Sequence, residues 1–503
     1  MNADKENSRS VWLDASFPQA SRLSSSLRTD VLVIGGGIAG LSIAYELAVA
    51  GHDVAVVDRG RLGGGMTART SGHLSWEIDD TYAELIGATS EREARQYLES
   101  QRAAVDRIEN ICASEKIPCD FSRLDLFVFA PDRKGRRKLE NEYEAAGKLG
   151  FDGVAWEDAP IAKGTDGCLR FPNQARFHPL RYLTGLSRAI RRRGGELYAN
   201  TTVVSVEEMK TGPVAKTESG LTIRAKAMVA ATNSPFVNRL AIHTKQAPYR
   251  TYTISLEMPA GMEFDALMWD TENPYHYVRS YQAEDRRLLI VGGEDHKTGK
   301  CDDADKRLAR LEQWARAHFP EVGKRRHAWS GQIYEPIDFV PFIGRSPGHK
   351  NIFLVTGDSG EGLTTGVAAS LIVPDLIAGR KNAWAGVYRP SRKAVTPSPP
   401  ATFVKDLASA ATRLVKHTGP GDAKPNQIGR GKGAVITHEG KKTAAYRDER
   451  GKLHRRLAAC THVGCVVAWN SFERCWDCPC HGSHFAPLGE ALQCPAVSPL
   501  GRA

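Results

Sequence analysis

The chain lacks an apolar stretch near its start. MNADKENSRS carries Asp4 and Glu6 and has none of the basic-then-apolar layout of a secretory leader, so a cytoplasmic protein is expected. Membrane-length apolar runs are missing as well. Residues 31–50 come nearest, but Gly35, Gly36, Gly37, Gly40 and Glu46 interrupt them, and they read as strand, tight turn and helix. No integral membrane segment is expected. The formal charge of +10 comes from scattered runs such as 133–138 and 191–193, with no basic stripe interleaved with aromatics, so no nucleic-acid partner is expected. Cysteine is sparse until the C-terminal region, where six of the ten residues fall between Cys460 and Cys494. That clustering argues for metal chemistry rather than a disulfide framework.

What is present points to several domains. A chain of 503 residues, 41% of them apolar, exceeds one ordinary domain and can bury real cores. The expected fold class is α/β: a Rossmann-like dinucleotide-binding domain interwoven with a mixed-sheet domain, followed by a small all-β module. The boundaries expected are a polar arm over 1–27, the interwoven pair over 28–388, a linker over 389–433, and the β module over 434–503. The linker is rich in Pro, Ser and basic residues, then holds Phe403, Val404, Leu407, Ala411, Leu414 and Val415 at helical spacing, which predicts one amphipathic helix.

In VLVIGGGIAG, Gly35, Gly37 and Gly40 form GxGxxG directly after a strand and at the opening of a helix. Glycine allows the tight turn and the close approach of a pyrophosphate to the helix N-terminus. Asp58 ends the next strand, about 20 residues on, where a carboxylate can accept hydrogen bonds from a ribose.

FAD or NAD is decided by resemblance. IFLVTGDSGEGLTTG (352–366), GGMTARTSGHL (64–74), VAATNS (229–234) and VPFIGRSP (340–347) together resemble the D-amino-acid oxidase and glycine oxidase family of flavoenzymes. The resemblance implies FAD. It also implies flavin or pyrophosphate contacts at Thr67, Arg69, Thr70 and Ser71, a backbone contact to adenine at Val203, and glycine contacts at Gly357, Gly360 and Gly362. Arg69 stands where some relatives carry a histidine joined covalently to FAD, and His73 is displaced, so non-covalent FAD is expected. Such enzymes often pair a carboxylate-clamping arginine with a tyrosine. PYHYVRSY offers Tyr277 and Arg279 as catalytic candidates, although both also suit plain strand positions.

CTHVGC (460–465) and CPCHGSHF (478–485) resemble the two cluster loops of a Rieske [2Fe-2S] domain. The resemblance implies Cys460, His462, Cys478 and His481 as ligands of one cluster, and a disulfide between Cys465 and Cys480. Structural zinc is the competing reading, though Cys475 with Cys478 gives only one CxxC where a ribbon would use two. Cys475, Cys494 and His484 read as ordinary residues. Respiratory Rieske proteins commonly carry a tyrosine where this chain has Phe485, which removes a donor to a ligand sulfur and disfavours the reduced cluster. Ser483 is retained as a donor to a bridging sulfide.

The fusion joins a two-electron flavin to a one-electron cluster. It implies an FAD-dependent dehydrogenase rather than an oxidase, acting on an amine or amino-acid-like substrate and passing electrons to a one-electron carrier or other acceptor. Two rival readings are a cluster that feeds FAD for a reductive or oxygen-activating reaction, and a non-catalytic redox sensor or carrier.

Overall fold

The computed structural model describes residues 5–161, 164–237, 242–393, 421 and 423–503. The helix expected over 403–415, with most of the linker, lies outside them.

The chain opens its first sheet with β1 (Leu27–Ile34), flanked on both sides by parallel partners: β2 (Val54–Val57) in the register Val31 to Val54, and the strand Thr222–Ala230 in the register Val31 to Ala227. A parallel strand covered on both faces requires an unbroken apolar run, which VLVI supplies. Ile352–Thr356 and Glu196–Tyr198 extend the parallel order outward. The connecting helix α1 (Ile38–Val49) is apolar nearly all round, with Leu41, Ile43, Ala44 and Leu47 buried, because the helix Gly362–Ile377 crosses its outer side. That crossing is close. A Cβ on Gly366 would lie 2.9 Å from the Ile38 side chain and 3.1 Å from the Ala39 nitrogen.

A second sheet of nine strands roofs the first. Its long strands Gln246–Met258, Arg287–Lys297 and Arg325–Pro336 pair antiparallel, and His276–Gln282 and Leu267–Asp270 continue the order to Ser122–Ala130. Helix Ala304–His318 packs on this sheet through Leu308, Leu311 and Trp314.

The C-terminal residues form a three-stranded and a four-stranded sheet around their own core of Val435, Tyr446, Val467, Trp476, Phe485 and Leu500. This β module is clamped to the body formed by the first two sheets by buried charge. Arg250 of the roof sheet donates to both oxygens of Asp477 at 3.0 and 3.1 Å, and Arg69 donates to Glu473 at 2.9 Å. Residues 5–15 of the arm run through the seam: Glu6 forms an ion pair with Arg69 at 3.5 Å and accepts from His484, while Ser8 bonds Glu473 through both its amide and its hydroxyl. Glu6 is held down at about 2, burial opposing and His484 and Arg69 prevailing.

Removing one partner of a buried pair strands the other, at a cost of about 3–5 kcal/mol, whereas removing both is nearly neutral. Arg250→Met should therefore lower the unfolding midpoint sharply, and Arg250→Met with Asp477→Leu should recover most of the loss. Denaturant titrations of the single and double variants measure the difference.

Candidate functional site

The cofactor cleft lies above the C-terminal ends of the parallel strands. Gly35 turns the chain at φ +110°, and a Cβ there would sit 2.1 Å from the Ala231 carbonyl oxygen. Gly37 precedes α1, whose first amides are uncapped by any side chain except for Ile38, which donates to Thr67 Oγ1 at 3.0 Å. Asp58 directly follows β2 and accepts from the Gly36 amide at 2.7 Å and the Gly60 amide at 2.8 Å, which fixes its carboxylate at the cleft wall.

Gly35, Gly37, Asp58, Thr67, Arg69 and Thr70 all line this one cleft, as do Ser71, Gly360, Gly362 and Tyr277. Four sequence candidates stand outside the lining. Gly40 serves helix packing, since a Cβ there would lie 1.8 Å from the Gly35 carbonyl oxygen. Val203 is buried in the apolar layer beneath the parallel sheet. Gly357 shapes the turn at φ +77° against the Gln246 side chain. Arg279 turns away: its guanidinium donates to the carbonyl oxygens of Gly72, Phe177 and Ser280 and lies over the Trp12 ring. Burial pulls it down to about 9. It braces the loop that cradles the cofactor.

Arg69 lines the cleft but is also bound from behind, by Ser8, Ser330 and Glu473. Ser71 meets His73 Nδ1 at 2.8 Å, and His73 Nε2 lies 3.3 Å from the Val278 carbonyl oxygen. Burial, with Arg279 nearby, lowers His73 to about 3 and keeps it neutral. The Tyr277 hydroxyl lies 3.1 Å from Thr253 Oγ1 and 3.4 Å from Thr251 Oγ1, and burial raises it to about 12. Sequence reasoning missed Asp79, Thr251, Tyr275, Asp295 and Gln332, all in the lining. They come from five separate segments, and only the adjacent acids Asp79 and Asp80 offered a local signal.

The second centre sits in the β module. Nδ1 of His462 and Nδ1 of His481 face each other 3.2 Å apart. Cys460 and Cys478 are side-chain partners, both buried. This contact holds the Cys460 thiol below its ordinary range, with the amides of His462 and Val463 and the Ser483 hydroxyl adding to it, and pushes Cys478 up. A pair of imidazole nitrogens and a pair of thiols, each pair drawn from the same two loops and with amides aimed at sulfur, fit an iron-sulfur cluster. Cys465 and Cys480 form a disulfide that ties the two loops together. Ser483 Oγ accepts from the Ala496 amide, so it also anchors the covering loop 494–500.

The two centres meet. His243 of the two-sheet body packs its ring 5.0 Å from that of His462 and 5.2 Å from that of His481. Gln332 lines the cofactor cleft and donates from Nε2 to the Gly482 carbonyl oxygen at 2.9 Å, while Tyr334 donates to that of His481 at 3.2 Å. His484 lies in this seam rather than on a surface, bonded at Nδ1 to Glu6 and at Nε2 to Gln332 Oε1. Arg59, next to Asp58, donates to the carbonyl oxygens of Ala491 and Ala496.

Fold and site thus define a dinucleotide-binding oxidoreductase carrying a second, metal-binding redox module. The model of the FAD dependent oxidoreductase family matches residues 30–376, and that of the Rieske [2Fe-2S] domain matches 422–502. The chain belongs to the FAD-dependent oxidoreductase family, with a C-terminal Rieske domain, and its cofactors are FAD and a [2Fe-2S] cluster. It is similar along nearly its whole length to the Rieske 2Fe-2S iron-sulfur protein YhfW of Bacillus subtilis, at 30% identity over 99% of this chain and 97% of that protein. Gamma-glutamylputrescine oxidoreductase of Escherichia coli is 27% identical over 71% of this chain and 85% of that protein. The solved structure of glycine oxidase from Geobacillus kaustophilus shares the fold, with TM-score 0.62 and 21% identity over 73% of this chain and 99% of that one. No helix among the described residues is long and apolar enough to cross a membrane.

Two outcomes follow. His462→Ala should abolish the cluster and leave FAD bound, because the β module has its own core; iron and flavin content per chain report it. Phe485 is buried in that core beside Cys460 and Cys478. Phe485→Tyr should raise the cluster potential, by roughly 40 mV if the new hydroxyl makes one hydrogen bond worth about 1 kcal/mol to a ligand sulfur. Protein-film voltammetry of both forms measures it.

Proposed function

We propose that the chain is a dehydrogenase that oxidises an amine or amino-acid-like substrate at a carbon bearing nitrogen and delivers the electrons through the Rieske cluster to an external one-electron acceptor. FAD, held without a covalent bond, supplies hydride acceptance, and the cluster accepts one electron at a time. The pyrophosphate is held by the Gly35–Gly37 turn and the start of α1, the ribose by Asp58, and the ring region by Thr70, Ser71 and the amides around Gly360 and Gly362. Cys460, Cys478, His462 and His481 hold the cluster.

The observation that carries this reading is the seam. The imidazole side of the cluster site is covered by His243, and Gln332 belongs at once to the cofactor cleft and to the contacts of the cluster loop. A bond network that runs from one site into the other gives a short route for single electrons. The clamp of Arg250, Asp477, Arg69 and Glu473 holds the distance constant. Names of relatives support the substrate class, since one denotes an amine and another an amino acid.

The test is anaerobic photoreduction of the flavin, followed by the Rieske EPR signal as flavin absorbance recovers, at several protein concentrations. Transfer within one chain gives a rate independent of concentration. A rate proportional to concentration, or a cluster that stays oxidised beside reduced flavin, contradicts the proposed route.

A further inference from the structure

Beyond the flavin-cradling loop the cleft is walled by Trp269, Tyr275 and Tyr277, the two tyrosine rings 5.8 Å apart. Two carboxylates stand among these rings. Asp79 bonds the Tyr275 hydroxyl and reaches toward the glycine turn, where a Cβ on Gly360 would lie 3.5 Å from its Oδ2. Asp295 approaches from strand Arg287–Lys297; the Thr251 hydroxyl bonds its carboxyl, and its Oδ1 is left buried without a hydrogen-bond partner. Burial raises both carboxyls above their ordinary range, Asp295 to about 6. A buried carboxylate oxygen left unsatisfied is costly, and a cation brought by a ligand removes that cost.

Lys138 acts on Asp79, and Arg307 and His276 on Asp295, from outside the cleft, and none of the three lines it. Among the described residues lining it, Arg69 and His73 are the basic side chains. Arg69 is engaged by Glu473, Ser330 and Ser8, His73 is neutral with both ring nitrogens in contact, and Arg279 points elsewhere. Glu361 adds a further buried acid to the same wall. A substrate carboxylate entering here meets like charge and, among the described lining residues, no free arginine or lysine to clamp it. An ammonium meets carboxylates and three aromatic side chains, whose rings can attract it electrostatically.

We propose that the substrate is an alkyl diamine, without a carboxylate on the reacting carbon, whose distal ammonium is held by Asp79, Asp295 and the aromatic walls while its other nitrogen reacts. This rests on the oxidation reading above. In the reaction the carbon gives up a hydride and the nitrogen a proton, oxidised FAD takes the electron pair, and water splits the resulting imine into a carbonyl compound and ammonia.

The holoenzyme is titrated anaerobically with 1,4-diaminobutane, butylamine, glycine and proline. Calorimetry reads binding, and flavin absorbance reads reduction. The expected result is that 1,4-diaminobutane binds at least about tenfold more tightly than butylamine and bleaches the flavin, while the two amino acids do neither. Asp295→Asn and Asp79→Asn should each weaken diamine binding at least about tenfold with FAD content unchanged. Bleaching by glycine or proline without diamine binding overturns the diamine assignment and leaves the oxidation reading standing. Diamine binding that both Asn variants weaken, with no bleaching by any compound, supports the assignment of the cleft and overturns the oxidation reading. Diamine binding unaffected by either variant overturns the assignment of Asp79 and Asp295.

Discussion

Buried charge between the two halves of the chain sets what the rest of the molecule can do. Arg250 with Asp477 and Arg69 with Glu473 are withdrawn from water, and Glu6 from the arm and His484 from the cluster loop complete the set. Isolated charges in such a place would be prohibitive, so each exists only because its partner lies on the opposite domain. The pairing therefore fixes register as well as contact: sliding the β module by one residue along the roof sheet would leave arginines and carboxylates unpaired in a buried seam. A flexible linker alone would raise the local concentration of one module near the other but would leave their distance free to vary.

The same residues shape the cofactor cleft. Arg69 lines it from one side and holds Glu473 from the other, Ser330 is shared between Arg69 and Arg250, and Trp12 of the arm donates to the Thr70 carbonyl oxygen in the cradle loop. The flavin cradle is thus braced by the arm and by the docked β module. Substituting at the seam should reach the cleft even where no cofactor contact is altered, because interiors at this packing density transmit displacement.

Much of this was legible in the sequence, for definite reasons. GxGxxG with its strand, helix and Asp58 is local, since each residue acts within about 30 neighbours, and the cysteine-histidine loops are local in the same way. The all-β C-terminus and the interwoven sheets were readable from periodicity and return of the chain, and the glycine turn at 357–362 through its resemblance. What stayed hidden depends on distant pairings. Glu6 reads as one charge in a polar arm, and His484 as a spare histidine, until residues 478 positions apart meet. Asp295 lies late in strand Arg287–Lys297, next to Glu294, and nothing local says that its carboxylate enters a cleft. Arg279 shows the reverse case: two residues from Tyr277 on one strand, it shares a face with it, yet its long side chain reaches the carbonyl oxygens of the cradle loop instead.

The flavin and the cluster form one unit of fixed geometry. Freezing the enzyme with one electron on each centre and measuring the spin relaxation of the flavin radical tests it most directly. A fixed, close pair predicts a flavin signal that relaxes much faster with the cluster reduced than with it oxidised, with one uniform coupling across the sample. A flavin signal unchanged by the redox state of the cluster would contradict the account.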